Sequence, residues 1–342
     1  MAQNKNADTS YDAFNAAINA GNIGGLYIFH GEERYLLDIS ISELRRRLCP
    51  EGLDSFNYKR FEGKDITVDE IEDAINTMPV FAERTLIEIH DNDLFANAQR
   101  KERFIEIFTD VPDYACVVFV FSAIEYKPDG RTKLDKELLK NAQVVEFTSQ
   151  EQAKLLKWIS RHFEAAEKKI AKADAEYLAF ITDGLMTTLD SEIEKVSAYA
   201  QGETVTRADI DAVVAPSLDA VAYKLADAML AQKYDAGMSI LDELFRMREA
   251  PQKIIYSISL KMRQLLAARV CIENGMDKYA LMDMCGVRYE FQARILMDAA
   301  RRATLAGCRE AVLFCSDAAL ALNSEPEPEA RLIELVAQLA LI

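Results

Sequence analysis

Short apolar runs alternate with amphipathic segments over the first 147 residues of the chain. The runs predict buried strands over residues 26–29, 56–61, 85–89, 116–121 and 144–147. The fourth run is almost wholly apolar, which is typical of a central strand covered on both faces. Between the runs, apolar side chains recur at helical spacing, as Leu37, Ile41 and Leu44 do in a helix predicted over residues 32–48. This alternation predicts a mainly parallel α/β sheet with helices on both faces.

Beyond Phe147 the strand pattern stops, and helical spacing continues almost to the end of the chain. The helices are short at first and become longer from Ser217 onward. We therefore expect an α/β domain over residues 1–147, a small helical lid over 148–215 and a helical collar bundle over 216–342. This order resembles that of an AAA+ ATPase with an added oligomerisation domain, although a fold alone does not assign a function.

The turn after the first strand occupies the place where a nucleotide-binding protein holds phosphate. Residues 30–35 contain one glycine, no Gly-Lys-Ser/Thr and two carboxylates, Glu32 and Glu33. A phosphate loop needs free backbone N–H groups, close glycine approach and a lysine. None of the apolar runs ends in the Asp-Glu pair of a Walker B strand, which would hold Mg²⁺. We expect no ATP hydrolysis, and we expect Glu32 and Glu33 in the first helical turn, where they offset the helix dipole.

Net charge of −16 argues against a broad phosphate-binding surface on the isolated chain. We interpret the basic clusters as solvated helix ends; they are Arg45-Arg46-Arg47, Arg100-Lys101 with Arg103, Lys168-Lys169 and Arg301-Arg302. The six cysteines include no C-x-x-C pair, which favours reduced thiols over disulfides or a zinc site. No secretory signal or membrane-spanning run is evident, so a cytoplasmic protein is expected.

Two of the three histidines follow predicted strands. His30 and His90 could therefore share the carboxyl edge of the sheet, where sites of α/β proteins form. A metal site or an acid–base pair there would suit a small-molecule enzyme. No H-E-x-x-H, H-x-x-E-H or G-x-S-x-G spacing supports it, and we prefer to interpret both as loop histidines. His162 and Trp158 are expected to pack on a lid helix.

The turn Met78-Pro79-Val80-Phe81 places apolar residues directly after a predicted helix. A capping box at residues 67–70 starts this helix, and Pro79 stops it because the residue before a proline avoids helical geometry. An apolar group on a rigid turn can anchor in a partner's pocket. From the residues alone, however, we favour Val80 and Phe81 folding back into the core, since most apolar turn residues are packed.

Several stretches together resemble one known family. Residues 26–37 carry an apolar strand followed by Gly-Glu-Glu and Tyr-Leu, and residues 79–84 carry Pro, an apolar residue, Phe and, after two further residues, Arg. A Glu-x-x-Lys helix at 189–196 and the stretch at 263–269 follow in matching order. Over most of its length the chain is similar to the delta-subunit family of the bacterial DNA polymerase III clamp loader.

This resemblance implies a function without catalysis. Members of the family bind the ring-shaped sliding clamp and open one interface, with no cofactor and no ATP hydrolysis of their own. By position, the clamp-binding residues are Met78, Val80 and Phe81, which would then be exposed; most members have leucine where this chain has Val80. The resemblance also implies contacts with other loader subunits through the collar. Primed DNA would be reached through the complex, as part of a DNA-directed DNA polymerase holoenzyme, a nucleotidyltransferase.

Two other functions stay open at this point. One is a different inert AAA+ subunit, such as the delta-prime stator, which typically carries a Cys-rich zinc module and a Ser-Arg-Cys motif. Neither motif is present in this sequence. The other is a small-molecule enzyme that uses the His30/His90 edge. Tight, specific ATP binding or turnover by the isolated chain would count against the clamp-opening hypothesis.

Overall fold

The computed structural model describes residues 9–49, 51–52, 54–63, 65–231, 233–246, 248–322 and 327–340. Its contacts divide the chain into two compact units, residues 1–149 and residues 150–342. Along the described stretches, no helix is both long enough and apolar enough to cross a membrane.

A parallel sheet forms the centre of the first unit. Its strands are β1 (Thr9–Ser10), β2 (Leu26–Gly31), β3 (Tyr58–Glu62), β4 (Thr85–His90), β5 (Ala115–Val120) and β6 (Gln143–Phe147). They lie in the order β1-β6-β2-β5-β4-β3, and every neighbouring pair is parallel. All residues of β4 and β5 are buried, as expected of strands covered on both faces. The predicted parallel α/β fold is confirmed.

Helices connect these strands. They are α1 (Tyr11–Asn19), α2 (Arg34–Leu48), α3 (Asp54–Asn57), α4 (Val68–Ile75), α5 (Ala98–Thr109) and α6 (Lys133–Leu138). The capping box at the start of α4 is formed by Thr67 and Glu70. On one side of the sheet, Ile87 and Phe119 belong to a core that includes Phe104 of α5.

Two strands of the first unit, β3 and β1, depart from the prediction. The strand expected from Phe56 starts at Tyr58, because residues 54–57 form the short helix α3. The amide of Asn57 binds the backbone of Val80, and a contact so distant in sequence leaves no periodic signal. Strand β1 was not predicted, since two residues are too few to show alternation.

The second unit is mainly helical, as predicted. Its helices are α7 (Gln152–Ala165), α8 (Lys172–Ile181), α9 (Met186–Tyr199), α10 (Arg207–Val213), α11 (Leu218–Leu230), α12 (Tyr234–Arg246), α13 (Pro251–Glu273), α14 (Lys278–Cys285), α15 (Glu290–Ala300), α16 (Leu305–Ala321) and α17 (Pro328–Leu339). The expectation that strands end at Phe147 was wrong in one place. Two short parallel strands, β7 (Lys169–Ile170) and β8 (Thr204–Val205), pair within the unit.

The segments predicted as lid and collar both lie in this second unit. Ser217 donates its backbone N–H to the carbonyl of Ile181 at 2.8 Å, and Arg294 pairs with Glu176 at 2.5 Å. The buried apolar residues from α11 to α17 form one continuous core. The division at residue 215 stays a prediction.

Candidate functional site

The position of a phosphate loop is occupied by backbone that is bonded to the sheet. Gly31 ends β2 with φ +131° and lies against β6 so closely that a side chain there would overlap the backbone of Phe147. The N–H of Glu33 donates to the carbonyl of Phe147 at 3.0 Å. A phosphate site needs several N–H groups directed outward at the anion. Here one of these groups is used by the sheet, and the turn is fixed against β6.

Side chains also join this turn to the loop that follows β5. The guanidinium of Arg34 donates to the carbonyl of Phe121 at 3.0 Å and also to that of Ser122. The ring of Tyr126 stacks on His30 with centroids 4.1 Å apart. An arginine that is bonded to two carbonyl groups of its own chain has less capacity left to bind a phosphate.

The two acidic residues of the turn do not lie where we predicted them. Helix α2 begins at Arg34, so Glu32 precedes it and Glu33 is its N-cap residue, without a side-chain capping bond. A carboxylate oxygen of Glu32 accepts from the Ser149 hydroxyl at 2.8 Å. The expectation that both residues lie in the first helical turn was therefore wrong.

Asp91 fixes the loop that follows β5. Its carboxylate accepts from the backbone N–H groups of Ser122 and Ala123, both at 2.6 Å, and of Ile124 at 3.1 Å. The Ser122 hydroxyl donates to the other oxygen at 2.8 Å. Burial alone would raise the pKa of Asp91, but these donors outweigh it and hold the pKa below its usual value. The loop is thereby bound to the end of β4.

The histidine edge does not form a joint site. Phe29, Val120 and His90 lie in one row of the sheet, so their side chains share a face. His30 follows Phe29 in the same strand and therefore points to the opposite face. The ring of His90 is buried, with Nε2 3.2 Å from a carboxylate oxygen of Glu88. Within the described ranges, no group of three or more His, Cys, Asp or Glu residues could hold a metal ion.

Most side chains of the basic clusters have ion-pair or hydrogen-bond partners nearby. Ion pairs within the units join Arg45 to Asp54, Arg46 and Arg47 to Glu43, Lys101 to Asp135, Arg103 to Glu72, Lys169 to Glu203, Arg301 to Asp298 and Arg302 to Asp227. Lys168 donates to two backbone carbonyls, those of Ala200 and Gly202. These pairings leave little unshared positive charge for a nucleic-acid backbone in the clusters.

The turn after α4 carries the exposed apolar residues. Phe81 is 90% exposed, Met78 is 72% exposed and Val80 is 37% exposed. The interpretation based on the residues alone, in which Val80 and Phe81 fill the core, is therefore wrong. An apolar side chain as exposed as that of Phe81 gains nothing from the hydrophobic effect in the free chain.

A buried asparagine holds this turn. The side chain of Asn57 is 0% exposed; its Nδ2 donates to the Val80 carbonyl at 2.8 Å, and its Oδ1 accepts from the Val80 N–H at 2.7 Å. Lys59 supports the start of the turn by donating to the Thr77 hydroxyl at 2.7 Å. At the far end, Arg84 donates to the carbonyl of Ile23 at 2.8 Å. The turn is thus attached to neighbouring elements at three points.

Phe81 has a φ of +53°, in the left-handed region. Bulky residues rarely adopt this backbone conformation, which is unfavourable by about 1 kcal/mol. Neither this conformation nor the hydrogen bonds of Asn57 could be predicted from the pattern of residues. A signal would have been the asparagine itself, whose amide can both donate to and accept from a peptide group.

Comparisons with known proteins agree on one family. The family model described as DNA polymerase III, delta subunit, matches residues 27–148, and the model of the C-terminal domain of that subunit matches residues 219–338. DNA polymerase III subunit delta of Bacillus subtilis (strain 168) is 24% identical over 291 residues, which are 83% of this chain and 84% of the relative. The probable DNA polymerase III subunit delta of Aquifex aeolicus (strain VF5) is 22% identical over 275 residues, 78% of this chain and 77% of the relative.

A solved structure supports the fold. The Bacillus subtilis DNA clamp loader delta protein (YqeN) matches with a TM-score of 0.59 at 20% identity, covering 97% of this chain and 100% of that one. At this identity the likeness shows the fold alone. The family is shown by the two family models, which cover more than two thirds of the sequence in the expected order. The chain belongs to the DNA polymerase III delta-subunit family.

Proposed function

We propose that this subunit binds the ring-shaped sliding clamp through Met78, Val80 and Phe81 and opens one interface of the ring. The observation that carries the proposal is the exposure of Phe81 on a turn that is hydrogen-bonded to the buried Asn57. Large apolar side chains held out by rigid backbone are typical anchors for a partner's pocket. The match to the delta-subunit models supports this function over that of a delta-prime stator.

Burial of two large apolar side chains can supply much of the free energy of clamp binding. Full burial of a Phe or Met side chain contributes about 1.5–3 kcal/mol. Met78 and Phe81 together could therefore supply much of the affinity of a modest interface. Opening of the ring would follow from differential binding: a ligand that binds the open ring more tightly than the closed ring shifts the population by that difference.

We further propose that ATP hydrolysis takes place on other subunits. The tight packing of Gly31 against Phe147, together with the hydrogen bonds from Arg34 to the backbone carbonyls of Phe121 and Ser122, supports a structural role for this part of the fold. The collar over residues 216–342 would join the chain to those subunits, and primed DNA would be bound by the complex. As part of a polymerase holoenzyme acting on chromosomal DNA, the subunit is expected in the cytoplasm.

Binding of Phe81→Ala to the purified cognate clamp tests the site. We expect an affinity loss of at least tenfold, which corresponds to about 1.4 kcal/mol. Tyr199→Ala is the matched control, since Tyr199 is an exposed aromatic residue of the second unit. Circular dichroism checks that each variant is folded. Normal clamp binding by Phe81→Ala would refute the site, and unfolding of the variant would show that Phe81 is structural.

Ring opening needs a separate measurement. A donor dye and an acceptor dye are placed on opposite sides of one clamp interface. Energy transfer between them then reports the distance across that interface. Wild-type chain should lower the transfer at saturating concentration without ATP, while Phe81→Ala should not at the same concentration. Binding without any change in transfer would retain the clamp-binding site and refute opening by this chain alone.

A further inference from the structure

We propose that Asn57 is a positioning residue for the clamp-binding turn: its buried amide holds Val80 and Phe81 in the binding conformation before the partner arrives. This inference rests on the proposed function. It adds a residue that lies 23 positions away in sequence from Val80 and that forms hydrogen bonds with the backbone of the turn.

The geometry is a two-point contact. One atom of the Asn57 amide donates to the carbonyl of Val80 and the other accepts from its N–H, at 2.8 and 2.7 Å. Two parallel bonds fix both the distance and the orientation of the peptide backbone, as a single bond would not. Because the amide is fully buried, its bonds do not compete with water.

The contact acts on the strained torsion of Phe81. The Val80 carbonyl belongs to the peptide group that also contains the nitrogen of Phe81, so holding this carbonyl fixes the plane from which φ of Phe81 is measured. At +53° this torsion is unfavourable, and Phe81 is 90% exposed. Without the restraint, rotation to negative φ would relieve the backbone and could lay the ring on the protein surface.

Asn57 is itself anchored. The backbone carbonyl of Asn57 accepts a hydrogen bond at 3.4 Å from the thiol of Cys49, the residue that follows α2. Asn57 is also the last residue of α3 and directly precedes β3. The restraint therefore connects the turn to the sheet. A preorganised turn saves the ordering cost that a flexible one would incur on binding.

The first test uses the wild-type protein. Hydrogen exchange of the free chain, followed by NMR at the Val80 amide, should show protection comparable to that of amides in β4. Rapid exchange at Val80 in the free chain would overturn the inference, because the turn would then be ordered only by the partner.

The second test is a double-mutant cycle in clamp binding. Asn57→Ala should weaken clamp binding about tenfold. Without Asn57, the side chains and torsions of the turn would have to be ordered when the clamp binds, and this costs free energy. In a Phe81→Ala background the same substitution should cause a clearly smaller loss of affinity, because most of the effect of Asn57 passes through Phe81. An equal loss in both backgrounds would indicate a merely structural role and overturn the proposal.

Asn92→Ala is the matched control. Asn92 is also buried, and its amide donates to the backbone carbonyls of Gly63 and Ile66, away from the turn. We expect lowered stability and unchanged affinity for this variant. If Asn57→Ala does not fold, Asn57→Asp retains the size and the acceptor and replaces the donor, and it should show the same loss.

These experiments distinguish a failure of the positioning role of Asn57 from a failure of the proposed clamp-binding function. If Phe81→Ala loses binding while folded Asn57→Ala binds as wild type, the positioning role is refuted and the clamp-binding site stands. If the wild-type chain fails to bind the clamp, both are refuted.

Discussion

The carbonyl group of Phe147 occupies the space that a side chain at Gly31 would need. With φ at +131°, Gly31 also has a backbone that other residues rarely adopt. We expect Gly31→Ala to lower the free energy of unfolding by more than about 2 kcal/mol, since strain and overlap add. Urea denaturation measures the change.

Gly63→Ala is a control for this prediction. Gly63 has φ of +106°, but a Cβ there would meet no atom within 4 Å. Gly63→Ala should therefore lower the free energy of unfolding only through the strained backbone conformation, by about 1 kcal/mol. Equal losses in the two variants would show that contact with β6 contributes nothing at Gly31.

The Lys101–Asp135 pair is expected to stabilise the first unit. The ammonium of Lys101 lies 2.5 Å from the carboxylate of Asp135, and both side chains are largely buried. Lys101→Met would leave a buried carboxylate without its cation, and we expect a loss of about 3 kcal/mol in the free energy of unfolding. Denaturant titration is the measurement.

An exposed pair provides the comparison. Arg131 lies 3.0 Å from Asp129 but is 93% exposed. Arg131→Met should change stability by less than about 0.5 kcal/mol. If Lys101→Met lowered the free energy of unfolding no more than Arg131→Met does, a stabilising role for the buried pair would be contradicted.

Asp91 gives the protein a pH dependence of known sign. Its pKa in the folded chain is lowered relative to the ordinary value of 3.8. The stabilisation is therefore complete above pH 3.8 and is lost as the pH falls through the lower, folded pKa. Asp91→Asn removes the charge, and asparagine tolerates the φ of +52° found here.

Stability should be compared at neutral pH and below pH 3.8. We expect the variant to be less stable than wild type at neutral pH and the difference to shrink on acidification. A difference that stays constant with pH would show that the hydrogen bonds of Asp91 do not depend on its charge.

Nucleotide binding by the isolated chain should be negligible. The N–H of Glu33 is bonded to Phe147, and Arg34 is bonded to Phe121 and Ser122. Calorimetric titration with MgATP should give no saturable heat at micromolar protein. Tight, specific binding would contradict both the closed-loop description and the proposal that other subunits bind the ATP.

Local patterns predicted much of this structure, and long-range contacts account for the rest. The apolar run at β5 and the capping box at Thr67 identified a strand and a helix because their signals lie within a few residues. The exposure of Phe81 could not be derived from the residues; only the resemblance to a family suggested it. Under our proposal this exposure depends on the hydrogen bonds of Asn57 to Val80, and nothing in the spacing of apolar and polar residues connects Asn57 to the turn.

The positive φ of Phe81 sets stability and recognition against each other at one residue. Asparagine tolerates this backbone better than phenylalanine and exposes no apolar ring, so the free Phe81→Asn chain should be at least as stable as wild type. The same change would remove the proposed anchor for the clamp. Stability of the isolated chain therefore does not account for a phenylalanine at this position, whereas the proposed binding of a partner does.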